Sequence, residues 1–253
     1  MYGAELANVY ETLYRGRGKD WGAEAAYLAR LIRDRLPAAR SLLDVACGTG
    51  AHLEKLGELF GHTEGLDYSA DMLAVAERRL PGGTFLHRGD MREFDLGRRF
   101  DAVSCMFTSI SYTGGLGDMR AAVRRMAEHL VPGGVLVIEP WWFPEKFIPG
   151  YVAGEVVREN DRTIARVSHS TVRDNVTRLE VRYLVGTSAG ITQFTEVDHL
   201  SLFTKDEYLA AFTDAGCAAE YIEPDPEGKD VIIPRGRGLF IGTRNGVRSD
   251  IRR

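Results

Sequence analysis

Cysteine is scarce: Cys47, Cys105 and Cys217 are the only three in 253 residues. An odd number, widely spaced, builds neither a disulfide framework nor a zinc-ligand set, and such usage suits a reducing cytoplasm. Long apolar runs are missing as well. MYGAELANVYETLYRGRGKD has no core of signal-peptide length, and no stretch approaches a membrane span. Basic excess is also absent: Lys and Arg total 32 against 36 Asp and Glu, a net charge of -4, which leaves no field for nucleic acid. Internal repeats and low-complexity segments do not occur. What is present is an ordinary globular composition, 44% hydrophobic and 27% charged. That is chain enough for a substantial core, in one large domain or one with a smaller appended lobe. A soluble, cytoplasmic protein is expected.

Residues 20–36 place Ala25, Leu28, Leu31, Ile32 and Leu36 on one face, which predicts an amphipathic helix closed by Pro37. Short apolar strands are then expected at 41–46, 62–67, 84–87, 100–106 and 134–139, with helices at 50–60, 70–80 and 117–130. Strands alternating with helices imply parallel pairing with both sheet faces covered. "VPGGVLVIEP" reads as a helix stop, a tight glycine turn and a buried strand. Residues 151–203 change character. "RTIARVSHSTV", "TRLEVRYLV" and "TQFTEVDHLSLF" alternate and are β-branched, as antiparallel strands with one apolar face do. "FTKDEYLAAFTDAG" follows as a capped helix, strands near 217–223 and 237–243 complete the fold, and 244–253 form a frayed tail. The expected class is α/β. Residues 1–140 and about 204–243 make a nucleotide-type sheet with helices on both faces; about 141–203 make a small antiparallel lobe for substrate binding and dimerisation.

"LLDVACGTGAHLEKL" is a strand, a glycine turn and a helix, so backbone N–H groups there can meet a ligand closely. A dinucleotide fingerprint begins the same way, but Leu53 stands where its third glycine belongs, which weakens that reading without removing it. A P-loop is excluded more firmly because no GK[ST] follows Gly50. "GLDYSADML" puts Asp67 at the next strand end, where a carboxylate can accept both ribose hydroxyls. "HRGDMREF" adds Asp90, able to accept from an adenine amino group, and Met91, able to cover the ring face. The set DxAxGxG, Asp67 and Asp90 resembles class I S-adenosylmethionine methyltransferases. Asp44 can also serve merely as a turn cap, and Met72 merely as core.

Further stretches carry a narrower resemblance: "LYRGRGKD", "GDMREF", "EPWWFPEKF", "RVSHS", "TRLEV" and "RGRGLF". From Tyr2 to about Gly242 the chain resembles the N-methyltransferases that make dimethylamino deoxysugars of the desosamine and mycaminose type for antibiotics. The resemblance implies a class I (Rossmann-like) fold with an antiparallel lobe, a homodimer, S-adenosylmethionine as cofactor, and a TDP-linked amino sugar as acceptor. It implies cofactor contacts at Tyr10, Tyr14, Arg17, Asp44, Ala46, Gly48, Asp67, Tyr68, Met72, Asp90, Met91 and Met106. Lys19 joins Arg17 as a candidate for the cofactor carboxylate. Acceptor contacts are expected at Glu139, Trp141, Trp142, Arg166, Ser168, Arg178 and Arg237, the last having a guanidinium fork suited to a diphosphate. The chain departs from the family at "EPDPEGKDVIIPRGRGLF", where the loop into GRGLF is longer.

Methyl transfer from a sulfonium is an in-line displacement by a neutral amine. A sugar amine has a free-base form near neutral pH, so no strong base is required. Aromatic rings can stabilise the sulfonium by roughly 0.5–2 kcal/mol; Tyr2, Tyr10, Tyr14, Tyr112, Trp141 and Trp142 are the candidates. Tyr112, Tyr2 and His169 are the candidate catalytic groups, although a strand histidine more commonly serves as a structural hydrogen bonder. Methylation of oxygen or carbon in another metabolite, or a non-catalytic cofactor-binding module, stay open as alternatives.

Overall fold

A computed structural model describes residues 4–223 and 238–246. Two sheets organise it. The larger has seven strands in the order β10-β11-β5-β4-β1-β2-β3. β1 (Ser41–Val45), β2 (His62–Asp67), β3 (Phe85–Arg88), β4 (Phe100–Cys105) and β5 (Leu130–Ile138) run parallel. β10 (Cys217–Ile222) and β11 (Leu239–Arg244) add an antiparallel edge beside β5. The chain leaves β1 outward through β2 and β3, then returns on the other side of β1 as β4. That reversal opens a crevice at the carboxyl ends of β1 and β4, where such sheets bind ligands.

The helices obey local signals. α2 (Trp21–Arg35) starts where Asp20 accepts the Ala23 N–H, and α4 (Ala70–Arg79) where Ser69 accepts that of Met72. α6 (Lys205–Asp214) has a reciprocal capping box between Thr204 and Glu207. α3 (Ala51–Gly57) and α5 (Leu116–Glu128) are shorter than the apolar pattern predicts. β5 is correspondingly longer. Instead of a tight turn, the Val131–Gly134 stretch stays in the strand, and the register against β4 slips between Phe100 and Ala102. Pro132 has no N–H to give a ladder, so an irregularity there resolves the conflict. The sheet's two faces are buried by separate clusters, one around Phe100, Val123, Phe212 and Phe240, the other around Leu28, Ile32, Leu42 and Val137.

The second sheet is an antiparallel meander of β6 (Val152–Glu159), β7 (Arg162–Arg173), β8 (Val176–Thr187) and β9 (Gly190–Ser201). Its inner face packs on α1 (Ala4–Gly16): Leu6, Val9 and Leu13 meet Val157, Ile164, Val181 and Tyr183. The N-terminal helix, expected with the cofactor domain, therefore belongs to the lobe's core. Contact is close enough that a Cβ on Gly16 would overlap Val157. Among the described residues no helix is long and apolar enough to cross a membrane.

Candidate active site

β1 delivers its last side chains into a turn of unusual backbone. Ala46 (φ 59°), Gly48 (φ 56°) and Gly50 (φ 76°) are all left-handed, a geometry that costs a non-glycine residue and clusters at functional sites. A Cβ on Gly48 would stand in open space, so the cradle has room for a ligand atom against the main chain. Gly65 on β2 lies beneath, where a Cβ would come 2.8 Å from both Cys47 Sγ and Leu53 Cδ2. The Gly48 N–H donates to Asp67 Oδ2 at 2.8 Å, and the Ser69 N–H donates to Oδ1 at 2.8 Å. Burial nonetheless raises the Asp67 pKa, against these backbone N–H bonds. Asp67 lines the cavity.

Asp44 is fully buried and accepts from Ser104 Oγ at 2.8 Å. Burial pushes its pKa up to about 6, opposed by the nearby His52. His52 Nε2 lies 2.6 Å from Glu24 Oε2, and Lys19 Nζ reaches the two oxygens of Glu24 at 2.8 and 2.6 Å. The Lys19 ammonium also stands 4.0 Å over the Phe107 ring. Asp90 lines the cavity and is gripped by Arg92, with Nη2 on Oδ2 at 2.6 Å and Nε on Oδ1 at 2.9 Å. The Arg92 N–H also donates to Oδ1, so on a four-lone-pair count Oδ2 keeps an open site for a donor such as an amino group. Arg92 holds the Asp90 pKa below the usual carboxylate range.

These groups share one cavity of about 450 Å³. Tyr10, Asp44, Ala46, Gly48, Asp67, Tyr68, Met72, Asp90, Met91, Met106 and Tyr112 all line it, as does Lys19. Trp21, His52, Arg92 and Phe107 line it too, without having been expected there. Phe107 and its neighbour Thr108 sit at φ 55° and 66°, immediately after β4. Glu139, buried at the end of β5, accepts the Phe107 N–H at 2.7 Å and so shapes that loop rather than the cavity wall.

Several expected contacts lie elsewhere. Arg17 pairs with Glu155 at 2.9 Å and stacks over Tyr14, which is itself wedged against Tyr10 and Phe107 behind the wall. Arg166 and Ser168 occupy the lobe's buried face, where Arg166 Nη1 donates to Ser168 Oγ at 3.0 Å. His169 and Arg178 fall on the exposed face by strand parity, and Arg178 pairs with Glu180. Trp141 and Trp142 stack edge to face, 6.3 Å apart, outside the cavity lining. Tyr2, Arg237 and the longer loop before GRGLF lie outside the described residues; Leu239 and Phe240 of that motif are core. From the lobe, the cavity receives Val197, Asp198 and His199 of β9. Asp198 was not anticipated, although its parity with Leu200 marks a charge on a core-facing position.

An adenosyl cofactor fits this donor set: the open cradle at Gly48, the paired N–H bonds aiming Asp67, and the free lone pair on Asp90. The architecture and site define a class I methyltransferase, and residues 42–134 match the family model described as a methyltransferase domain. A dTDP-3-amino-3,6-dideoxy-α-D-glucopyranose N,N-dimethyltransferase of Streptomyces fradiae is 52% identical, covering 95% of this chain and 91% of that one. A dTDP-4-amino-2,3,4,6-tetradeoxy-D-glucose N,N-dimethyltransferase of Saccharopolyspora spinosa is 48% identical over 97% of this chain and 95% of its own. The S-adenosylmethionine-bound amino pentose methyltransferase of Micromonospora echinaspora superposes with a TM-score of 0.84 at 56% identity, covering 94% of this chain and 97% of that one. The chain belongs to the family of S-adenosylmethionine-dependent sugar N-methyltransferases.

Proposed function

We propose that this enzyme dimethylates the amino nitrogen of a dTDP-linked deoxyamino sugar in an antibiotic pathway, in the cytoplasm and as a homodimer. One observation carries the reading: one cavity is lined both by the strand-end carboxylates and by Val197, Asp198 and His199 of the lobe, so cofactor and acceptor would share it. Asp67 would hold the ribose hydroxyls and Asp90 with Met91 the adenine. Asp44 and Lys19 would meet the charged amino-acid end. The cofactor supplies an electrophilic methyl on a sulfonium. Tyr10, Phe107 and Tyr112 line the cavity, where their rings would favour that cation and exclude water. Holding a free-base amine in line with the methyl can provide about 7–11 kcal/mol through proximity alone.

The exposed face of the lobe supports the homodimer. Val152, Val156, Val167, Leu184 and Ile191 stand out from it, and apolar side chains exposed together on one face are what a subunit interface would cover. A second copy satisfies it by pairing like with like. Light scattering should give twice the chain mass, and a monomer at assay concentration removes the dimer. The reaction is tested by incubating the protein with S-adenosylmethionine and dTDP-sugars carrying a 3-amino or a 4-amino group. Mass spectrometry should detect one and then two added methyl groups on at least one of them. Turnover of the matching hydroxyl sugars instead would overturn the assignment.

A further inference from the structure

The lobe end of the cavity holds a carboxylate for which cofactor binding has no use. Asp198 is 6% exposed, lines the cavity, and its Oδ1 has no hydrogen-bond partner among the described residues. A buried acceptor atom left unpaired is costly, and native sites that keep one keep it for a ligand or a water. Strand alternation sends the side chain inward, since Asp198 shares a face with Leu200. Tyr112 hydrogen-bonds to it from the turn at Ser109–Thr113, and the buried Arg166 of β7 and His199 of β9 act on it through their fields. The carboxylate is thus oriented on one side and open on the other.

We infer that Asp198 receives the acceptor's amine, accepting an N–H hydrogen bond on Oδ1 and stabilising the positive charge that builds on that nitrogen. This rests on the function proposed above. In the transfer, the nitrogen lone pair forms the new N–C bond while the C–S bond breaks and leaves its electron pair on sulfur. Net charge is conserved, but the cation moves from sulfur to nitrogen. A fixed carboxylate beside the nitrogen interacts more strongly with the product-like ammonium than with the neutral amine, which is the differential that accelerates a step. Orientation follows from the same contact, because an N–H held by Oδ1 turns the lone pair away from Asp198 toward the donor. Before a second methylation the ammonium must shed its proton. Asp198, hydrogen-bonded to that nitrogen, is the carboxylate beside it that would accept the proton.

The test uses the full chain and three proteins: wild type, Asp198→Asn and Tyr112→Phe. Calorimetry gives the affinity for the cofactor, and then, with S-adenosylhomocysteine present, for a dTDP-amino sugar and its hydroxyl counterpart. Asp198→Asn should keep cofactor affinity within about twofold and lose about a hundredfold in kcat/KM for the amino sugar, the scale of a lost transition-state electrostatic contact. It should also erase the wild-type binding preference for amine over hydroxyl. Tyr112→Phe, which keeps the carboxylate, should retain that preference. Asp198→Asn within about threefold of wild type in kcat/KM overturns the role while leaving the sugar assignment standing. Equal loss of both sugars on binding also overturns it. If Asp198→Asn does not fold, Asp198→Glu replaces it: kcat should fall while the amine preference persists, and a variant unchanged in kcat sinks the inference. A wild type that methylates no dTDP-amino sugar removes the function and this role together.

Discussion

The two ends of the cavity anchor their carboxylates by different means. Asp67, at the cofactor end, is fixed by main-chain N–H groups of Gly48 and Ser69. Asp198, at the lobe end, is held by a side chain, the hydroxyl of Tyr112. Main-chain anchors survive substitution as long as the turn keeps its shape; side-chain anchors can be exchanged one residue at a time. An enzyme built this way holds its cofactor constant while its acceptor end is free to vary. Two relatives are named for different acceptors, one a 3-amino and the other a 4-amino sugar.

The largest effect should follow from breaking the main-chain-anchored end. Asp67→Ala removes the proposed ribose acceptor and also frees the Gly48 N–H, so cofactor affinity should fall by roughly 1.5–3 kcal/mol, the worth of charged hydrogen bonds. Acceptor binding should change far less. Calorimetric titration with unchanged cofactor affinity would take Asp67 out of the site.

Next comes a pH dependence centred on Asp44. Its folded pKa, raised to about 6, lies above the usual carboxylate value because burial disfavours the charged form. Stability from this group is therefore complete at low pH and is lost as pH rises through about 6. Cofactor affinity should move the opposite way. A protonated Asp44 cannot pair with the cofactor's ammonium, so binding should weaken by about tenfold between pH 7.5 and pH 5. Asp44→Asn should flatten both curves, which separates Asp44 from other titrating groups. A wild-type affinity that is constant over that interval would show that Asp44 does not meet the ammonium.

The same contrast decides what could be seen in the sequence. The cofactor end was legible because its parts are local: a strand end, a left-handed turn and a helix start fall within a dozen residues, and Asp67 and Asp90 mark the next two strand ends. Parallel order and an antiparallel lobe followed from periodicity alone. The acceptor end was not legible to that degree. Asp198 sits in "EVDHL", which looks like any alternating strand until the pairing of β8 with β9 decides which face is buried. Arg17 could be placed in the right segment but not beside Glu155, which lies on another element far along the chain. Phe107 carried no sequence signal, because its role comes from a strained backbone held by Glu139. Arg92 was visible in "GDMREF" but its grip on Asp90 required the fold.

A smaller effect is expected at Tyr112. Phenylalanine keeps the ring that lines the cavity and removes the hydroxyl that hydrogen-bonds to Asp198. Amine attack needs positioning more than deprotonation, so turnover should stay within about tenfold of wild type. A thousandfold loss at saturating substrate, with the fold intact by circular dichroism, would make the tyrosine hydroxyl a proton acceptor in its own right. That outcome would also narrow the difference between the two ends, since a single side chain would then control chemistry as firmly as the turn controls the cofactor.

The smallest effect belongs to Arg178, and it probes whether the lobe's two faces are as distinct as they look. Arg166 and Arg178 both occur in segments expected to bind acceptor, yet strand parity puts Arg166 on the buried face and Arg178 on the exposed one. Arg178 pairs there with Glu180, which also binds Arg182, so removing one arginine leaves Glu180 with the other. Exposed pairs of this kind contribute little, and Arg178→Ala should leave Tm unchanged and acceptor KM within about twofold. Arg166→Ala is the control, because it strips a buried guanidinium from Ser168 and Glu155 and should disturb the lobe visibly. A tenfold rise in KM for Arg178→Ala, at unchanged Tm and cofactor affinity, would reverse the assignment of faces. The outer face would then reach an acceptor across the proposed dimer, and the lobe end of one cavity would be completed by a second copy.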